Sequence, residues 1–201
     1  MSNKKIKHVE GLDNFPFRTF QEFKNADWEG IAQPGVDRGV ALRWAYSGSY
    51  TSGILRAQVF SLMSIPYIAI LGFVVWVIIS KSWPMLLGLP VLLFGFCMFH
   101  PSAVAFGIIR WGFIGLSFIG LAYAFMTDRP GLLALCLALV AIWYGEKMLY
   151  RKAVSSLIKA ATEHEDLLCI LWQGKALNVR FLSGDHYWVH WKMENGQSTH
   201  Y

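Results

Sequence analysis

The sequence predicts a mainly α-helical membrane protein with four transmembrane helices and both termini in the cytoplasm, followed by a small C-terminal helix and a three-stranded antiparallel β-meander. Composition is the first observation behind this prediction: of 201 residues, 55% are hydrophobic and only 15% are charged. Soluble domains carry about 25% charged residues. The second observation is a long segment that is almost free of charge, and the third is a strand-like alternation close to the C-terminus.

Charge is almost excluded from the middle of the chain. Between Ala57 and Gly145 the charged residues are Lys81, Arg110, Asp128 and Arg129. A soluble core cannot exclude charge over such a length, whereas a bilayer interior penalises each central charge by about 2.5–3.5 kcal/mol. We therefore predict three regions: a cytoplasmic N-terminal segment (1–56), a transmembrane region (57–146) and a cytoplasmic C-terminal region (147–201).

Short polar breaks divide the transmembrane region into four apolar segments. The predicted spans are residues 59–79, 83–99, 103–126 and 130–146. The first has 21 uncharged residues, enough for a hydrocarbon layer that requires about 20. The second has 17 and lies at the lower end of the spanning range. The fourth is expected to continue beyond the membrane as a charged helix.

The distribution of basic residues predicts the orientation. With both termini inside, six Lys or Arg residues lie near the inner ends of the spans and two lie in the outer turns. The inner residues are Arg43, Arg56, Arg110, Lys147, Arg151 and Lys152, and the outer ones are Lys81 and Arg129. Because cytoplasmic loops carry the excess of basic residues, this count favours a multi-pass protein of a bacterial inner (plasma) membrane with cytoplasmic termini.

The C-terminal region shows two kinds of periodicity. An apolar helical stripe comes first, formed by Tyr150, Val154, Leu157, Ile158 and Ala161. Three runs typical of β-strands follow: Leu167 to Trp172, Lys175 to Leu182, and His186 to Met193. Trp188 falls on the polar face of the last run, which suggests a contact site; alternatively it covers a neighbouring strand or meets lipid head groups. The candidates for docking a protein partner are Trp188, His186, His190 and Arg180.

The N-terminal segment contains aromatic residues at helical spacing. Phe17, Phe20, Phe23, Lys24, Trp28 and Ile31 predict a short amphipathic aromatic helix. This helix would either lie in the inner membrane interface or dock against the C-terminal sheet, using the same residues. Gln33-Pro34-Gly35 is expected to end the segment.

Residues able to carry chemistry are few. His186 and His190 lie about 13 Å apart on an extended strand, too far to chelate one ion directly. Cys169 with His164 or His186 would make a nucleophile and base, but no oxyanion-hole pattern accompanies them, and a buried core cysteine is the simpler interpretation. We therefore predict no catalytic residue, cofactor or metal site. Arg110 and His100 are the candidate intramembrane polar residues.

Three functional hypotheses follow. The leading one is a non-enzymatic membrane protein whose cytoplasmic C-terminal region docks a protein partner, as an accessory subunit of a defence, toxin-immunity, conjugative-exclusion or secretion system. A small homo-oligomeric channel or pore is the alternative, and a membrane enzyme using the histidine-rich tail is the third. The flanks mix positive and negative residues, so nucleic acid is not an expected partner.

Small residues bear on the alternative of a homo-oligomer. The pairs Ala103 and Gly107, Gly112 and Gly115, and Ala134 and Ala138 stand at spacings that place them on one face of a helix. They would allow close packing either between copies of the chain or inside one four-helix bundle.

Overall fold

The computed structural model describes residues 8–48, 50–99, 107–182 and 187–189. The chain is mainly helical, as predicted. In chain order its elements are a 3₁₀ helix (Val9–Gly11), α1 (Phe20–Trp28), β1 (Ala32–Val36), α2 (Arg38–Ser47), α3 (Gly53–Ile79), a second 3₁₀ helix (Trp83–Gly88), α4 (Leu89–Phe99), α5 (Gly107–Met126), α6 (Pro130–Glu163), α7 (Glu165–Gln173), β2 (Leu177–Phe181) and β3 (Tyr187–Val189).

Two compact units share these elements. The flank unit combines the two ends of the chain, Met1–Thr51 and Ala153–Tyr201, and the apolar unit is Ser52–Lys152. The apolar unit thus corresponds to the charge-poor middle of the sequence, and the residues on either side of it in the chain fold together.

Two helices of the described chain, α3 and α6, are long and apolar enough to cross a membrane. The hydroxyl of Ser52 caps α3 by accepting a hydrogen bond from the Leu55 amide at 3.1 Å. Only 17% of the most apolar window of α3 is buried within the chain. A helix with so apolar and so exposed a surface needs an apolar environment around it.

The segment from Trp83 to Phe99 is divided between two kinds of helix. Residues Trp83–Gly88 form a 3₁₀ helix with a proline in its first turn, and α4 follows. A 3₁₀ helix rises about 2.0 Å per residue against about 1.5 Å for an α-helix. Per residue, Trp83–Gly88 therefore extends further than an α-helix would.

One hydrophobic core joins the helices of the apolar unit. Its buried residues come from α3, α4, α5 and α6: Phe73, Val77, Leu92, Ile114, Ala138, Leu139 and Ile142. Each of the four helices contributes at least one of them, so the helices pack as a bundle.

Close approach of the helices depends on glycines. A Cβ atom at Gly145 of α6 would lie 3.0 Å from the Ile65 side chain of α3, and one at Gly120 of α5 would lie 2.9 Å from the Cys136 sulfur. Gly112 and Gly115, in contrast, have no atom within 4 Å of the added Cβ. Of the predicted small-residue pairs, Ala138 is therefore in the bundle core, while Gly112 and Gly115 face open space.

A three-stranded antiparallel sheet in the order β1-β2-β3 lies in the flank unit. Residues Ala32 to Val36 pair with Phe181 to Leu177, and Arg180 pairs with Trp188. The alternation predicted for the second strand-like run is present, because Leu177 and Val179 are buried between less buried neighbours.

Two sequence-based predictions in the flanks are wrong. Leu167 to Trp172 is not a strand but lies within helix α7, where Leu167, Leu168, Leu171 and Trp172 are buried on one face. Acidic residues in the first turn favour this helix. The C-terminal meander therefore lacks its first strand.

Gln33-Pro34-Gly35 is not a break, because these residues lie within β1 and supply the missing strand from the other end of the chain. β1 stands at one edge of the sheet as the structure describes it. Proline is tolerated at an edge because the absent N–H need not bond to a neighbouring strand.

Candidate docking site on the flank unit

An aromatic cluster ties the two flanks together. Phe15 meets the Trp172 ring edge-on at 4.9 Å between centroids, and Phe17 stacks on Phe181 at 5.7 Å. Phe23, fully buried, packs against both Phe15 and Phe17. Of the two positions considered for the N-terminal aromatic residues, the structure thus shows contact with the C-terminal elements. Aromatic pairs of this geometry add about 0.5–1.5 kcal/mol each beyond area burial.

Specific hydrogen bonds fix the register of this contact. The Trp172 indole Nε1–H donates to the Asp13 carbonyl at 3.0 Å, and the Val9 amide donates to Glu165 Oε1 at 2.8 Å. Glu165 lies in the first turn of α7 and also approaches His8 at 3.6 Å. The N-terminal segment is thereby held against α7 at two points.

Helix α1 begins next to this aromatic cluster, and hydrogen bonds define its first residue. The Thr19 hydroxyl accepts from the Glu22 amide at 3.1 Å, and the Glu22 carboxylate accepts in turn from the Arg18 amide at 2.9 Å. This reciprocal arrangement resembles a capping box and defines where the helix begins. Phe23 and Ala26 form its buried face.

The end of α1 carries the most exposed aromatic side chain in the described part of the chain. Trp28 is 93% exposed, and Ile31 beside it is 39% exposed. Gly30 between them adopts a left-handed φ of 68°. This turn is closed by a hydrogen bond from the Ile31 amide to the Ala26 carbonyl at 2.9 Å. The turn therefore presents Trp28 on an ordered support.

Acidic residues stand on both sides of Trp28. Asp27 and Glu29 precede and follow it in the sequence. Partial burial raises the pKa of the Asp27 carboxyl above its ordinary value. We name the segment from Asp27 to Ile31 the tryptophan turn. Tryptophan is among the residue types that dominate the energetics of protein interfaces.

The predicted docking residues fall in several places. Arg180 lies in β2 opposite Trp188 of β3, so the two share a register position. His186 and His190 lie outside the described residues, so their role in docking a partner stays a prediction. Trp28 was expected only as part of the amphipathic aromatic helix, and the structure adds it as a candidate for docking a partner. A tryptophan between two acidic residues, two positions before a glycine, was the available signal.

Of the two candidate intramembrane polar residues, the structure describes the position of one. Arg110 belongs to the first turn of α5, and His100 lies outside the described residues. The structure adds Glu146, the last residue of the predicted fourth span, which is only 5% exposed. In the sequence, the only sign of this buried carboxylate is an acidic residue directly after Gly145. The structure shows that α6 approaches α3 at Gly145.

The described geometry disfavours the nucleophile hypothesis. Cys169 is fully buried, and burial, followed by the nearby Glu165 and Asp166 carboxylates, raises the pKa of its thiol to about 11. A reactive cysteine needs the opposite environment.

His164 stacks on the Tyr50 ring at 4.0 Å between centroids. Within the described ranges no group of three or more His, Cys, Asp or Glu residues is placed to hold a metal ion.

None of the protein-family models, curated proteins and solved structures compared with this chain matches it.

Proposed function

We propose that this protein is a non-enzymatic multi-pass protein of a bacterial inner membrane, with four spans and both termini in the cytoplasm. Its flank unit would dock a protein partner through the tryptophan turn. The observation that carries the proposal is the composite flank unit, in which chain segments from before and after the apolar unit form one sheet and one aromatic cluster.

The pairing of β1 with β2 supports the topology. Residues 32–36 and 177–181 form one antiparallel pair, so both must lie on the same side of any membrane that the chain crosses. The number of crossings between them is then even. Helices α3 and α6 supply two, and the apolar segments 83–99 and 107–126 are the candidates for the other two.

The positive charge near the inner ends supports the cytoplasmic location. Arg56 lies near the start of α3, and Lys147, Arg151 and Lys152 follow the apolar part of α6. Lys147 also stands over the Trp143 ring at 4.8 Å, an arrangement suited to the membrane boundary.

The tryptophan turn supports docking. A side chain exposed to 93% contributes almost nothing to the stability of its own unit, and its presentation on an ordered turn fits recognition of another surface. Asp27 and Glu29 favour a partner that presents basic residues around an apolar pocket. Arg180 and Trp188, with His186 and His190, form a second proposed region of contact.

Site-specific photo-crosslinking in cells tests this proposal. A photoreactive residue at position 28 should give one discrete adduct with a second protein, whereas the same residue at exposed Lys159 of α6 should not. Adding Asp27→Lys with Glu29→Lys should remove the adduct. Equal adducts at positions 28 and 159, or no adduct at position 28, would overturn the docking proposal.

A second candidate function, the homo-oligomer, is favoured by one observation. Gly112 and Gly115 present an open face of α5, with Leu116 and Ile119 highly exposed beside them. Disulfide trapping of Gly115→Cys between copies tests it, and ion flux in liposomes separates a pore from a non-conducting oligomer.

A further inference from the structure

The start of α3 and the middle of α6 enclose an open groove of about 590 Å³ within the apolar unit. Its lining residues are Ile54, Ala57, Gln58, Ser61, Leu62 and Lys152. The five from α3 follow the spacing of a single helix face. The groove is shallow and open to its surroundings, since Ile54, Ala57, Gln58 and Ser61 are all exposed.

The groove has a polar part and an apolar part. Ile54, Ala57 and Leu62 supply hydrocarbon surface, while Gln58, Ser61 and Lys152 supply an amide, a hydroxyl and an ammonium group. A ligand that satisfies both parts carries an anionic or strongly polar group joined to an apolar chain. Phospholipids have this construction.

Charge near the groove favours an anionic ligand. Arg56 of α3 and Lys147, Arg151 and Lys152 of α6 lie within one or two helical turns of the lining residues, against the single carboxylate of Glu146. Basic pockets between transmembrane helices on the cytoplasmic side bind anionic head groups.

The position along the helices matches the boundary of a bilayer. Arg56 is the last charged residue of α3 before Lys81, so Ser61 and Leu62 already belong to the charge-free part of the helix. The groove therefore extends from the charged end of α3 into its apolar length. A phospholipid would place its head group at the first and its acyl chains along the second.

We infer that this groove binds one anionic phospholipid, with its phosphate paired to Lys152, its polar oxygens bonded to Gln58 and Ser61, and its acyl chain extending past Leu62 along the charge-free part of α3. The inference rests on the proposed membrane location, but it does not depend on partner docking. The bound lipid would fill the space between two helices that glycine brings together further along, at Gly145 and Ile65.

Native mass spectrometry of the full chain, released from vesicles containing phosphatidylglycerol and phosphatidylethanolamine, tests the inference. We expect one retained phosphatidylglycerol per chain. Lys152→Gln should lower its retention about fivefold. Lys159→Gln, which changes an exposed lysine on the same helix outside the groove, should leave retention unchanged.

A second pair of variants tests the apolar part without changing charge. Ala57→Trp should fill the groove and remove the retained lipid, while Ala122→Trp, at another exposed position of the apolar unit, should not. Circular dichroism and elution profiles show whether each variant is folded. If Lys152→Gln is unfolded, Ala57→Trp decides the question.

Three results would overturn the inference: equal retention in Lys152→Gln and Lys159→Gln, equal retention of the zwitterionic lipid, or displacement of the lipid by inorganic phosphate. The last would identify a soluble anion as the occupant. Failure of the proposed membrane location is distinguishable, because the chain would then be absent from washed membranes before any lipid is measured.

Discussion

Pro34 and Val179 lie opposite each other in an antiparallel strand pair, although the whole apolar unit separates them in the sequence. Through this pair, the segment before the apolar unit is bonded to the segment after it. The proposed topology depends on this relationship, because two paired strands cannot lie on opposite sides of a bilayer.

The strand register predicts a selective disulfide. Cysteines at the register partners Gln33 and Arg180 should oxidise readily, because paired Cα atoms in antiparallel strands lie about 4.5–5.5 Å apart and disulfides need about 4.4–6.8 Å. With Cys97, Cys136 and Cys169 replaced by alanine, a mobility shift on non-reducing gels measures the yield. The pair Gln33→Cys with Asn178→Cys, displaced by two positions, is the control. Comparable yields from both pairs would contradict the register.

The turn that presents Trp28 predicts a stability change at Gly30. Gly30→Ala should lower the free energy of unfolding by about 1–2 kcal/mol, since a left-handed φ is costly for any residue with a Cβ. No atom lies within 4 Å of the added Cβ, so steric contact adds nothing.

Gly53→Ala is the matched control, because Gly53 is also uncrowded but begins α3 without a left-handed φ. Thermal unfolding in detergent measures both variants. A Gly30→Ala protein as stable as the Gly53→Ala protein would show that the turn is not held as described.

Packing of the bundle predicts opposite tolerance at two glycines. Gly145→Leu should destabilise the protein by about 1–3 kcal/mol, because even its Cβ would lie 3.0 Å from Ile65. Gly112→Leu should be tolerated by the single chain, since its position is open. Thermal unfolding in detergent measures the difference, and the idea fails if Gly112→Leu is the more damaging of the two.

Burial of Cys169 predicts a thiol that is unreactive in the native protein. With its pKa raised to about 11, the thiol should resist iodoacetamide at about pH 8 and react once denaturant is added. Mass spectrometry of the labelled peptide measures this. Rapid native labelling would restore the nucleophile hypothesis.

The same shift makes stability depend on pH. The unfolded thiol ionises near its ordinary pKa of 9.0, whereas the folded thiol keeps its proton until about pH 11. The unfolded state therefore binds fewer protons between these values, and stability should fall as pH rises through this window. Cys169→Ala should reduce that fall.

The apolar helices could be predicted because their signal is local. A bilayer excludes charge along each span, so the apolar parts of α3 and α6 are visible in the sequence as charge-free stretches, although α6 continues beyond its stretch to Glu163. Which glycines bring the helices together could not be predicted, since Gly112 and Gly145 are equivalent by composition and differ only in their neighbours.

The flank unit was harder to predict because its contacts join distant segments. Leu167 to Trp172 is a short apolar run, and periodicity alone does not distinguish a strand from a buried helix at that length. Pro34 and Gly35 resemble a break unless the partner strand, which follows the apolar unit, is known.

Because the flank unit combines both ends of the chain, deleting its C-terminal residues is not a clean test of docking. Removing residues 167–201 would delete α7 and β2, which hold the N-terminal aromatic residues Phe15 and Phe17. Such a truncation would disrupt the whole flank unit, so loss of activity would not assign docking to the tail. Single changes at the exposed Trp28 avoid this problem, because Trp28→Ala leaves the aromatic cluster intact.

Cysteine accessibility from the two sides of the membrane tests the proposed topology of four spans with both termini in the cytoplasm. In a chain without native cysteines, single cysteines at Glu29, Gln173, Ser82 and Thr127 are treated with a membrane-impermeant thiol reagent in intact cells and in inverted vesicles. The account predicts that positions 29 and 173 react only in inverted vesicles and that positions 82 and 127 react only in intact cells. Labelling of positions 29 and 173 from opposite sides would contradict it.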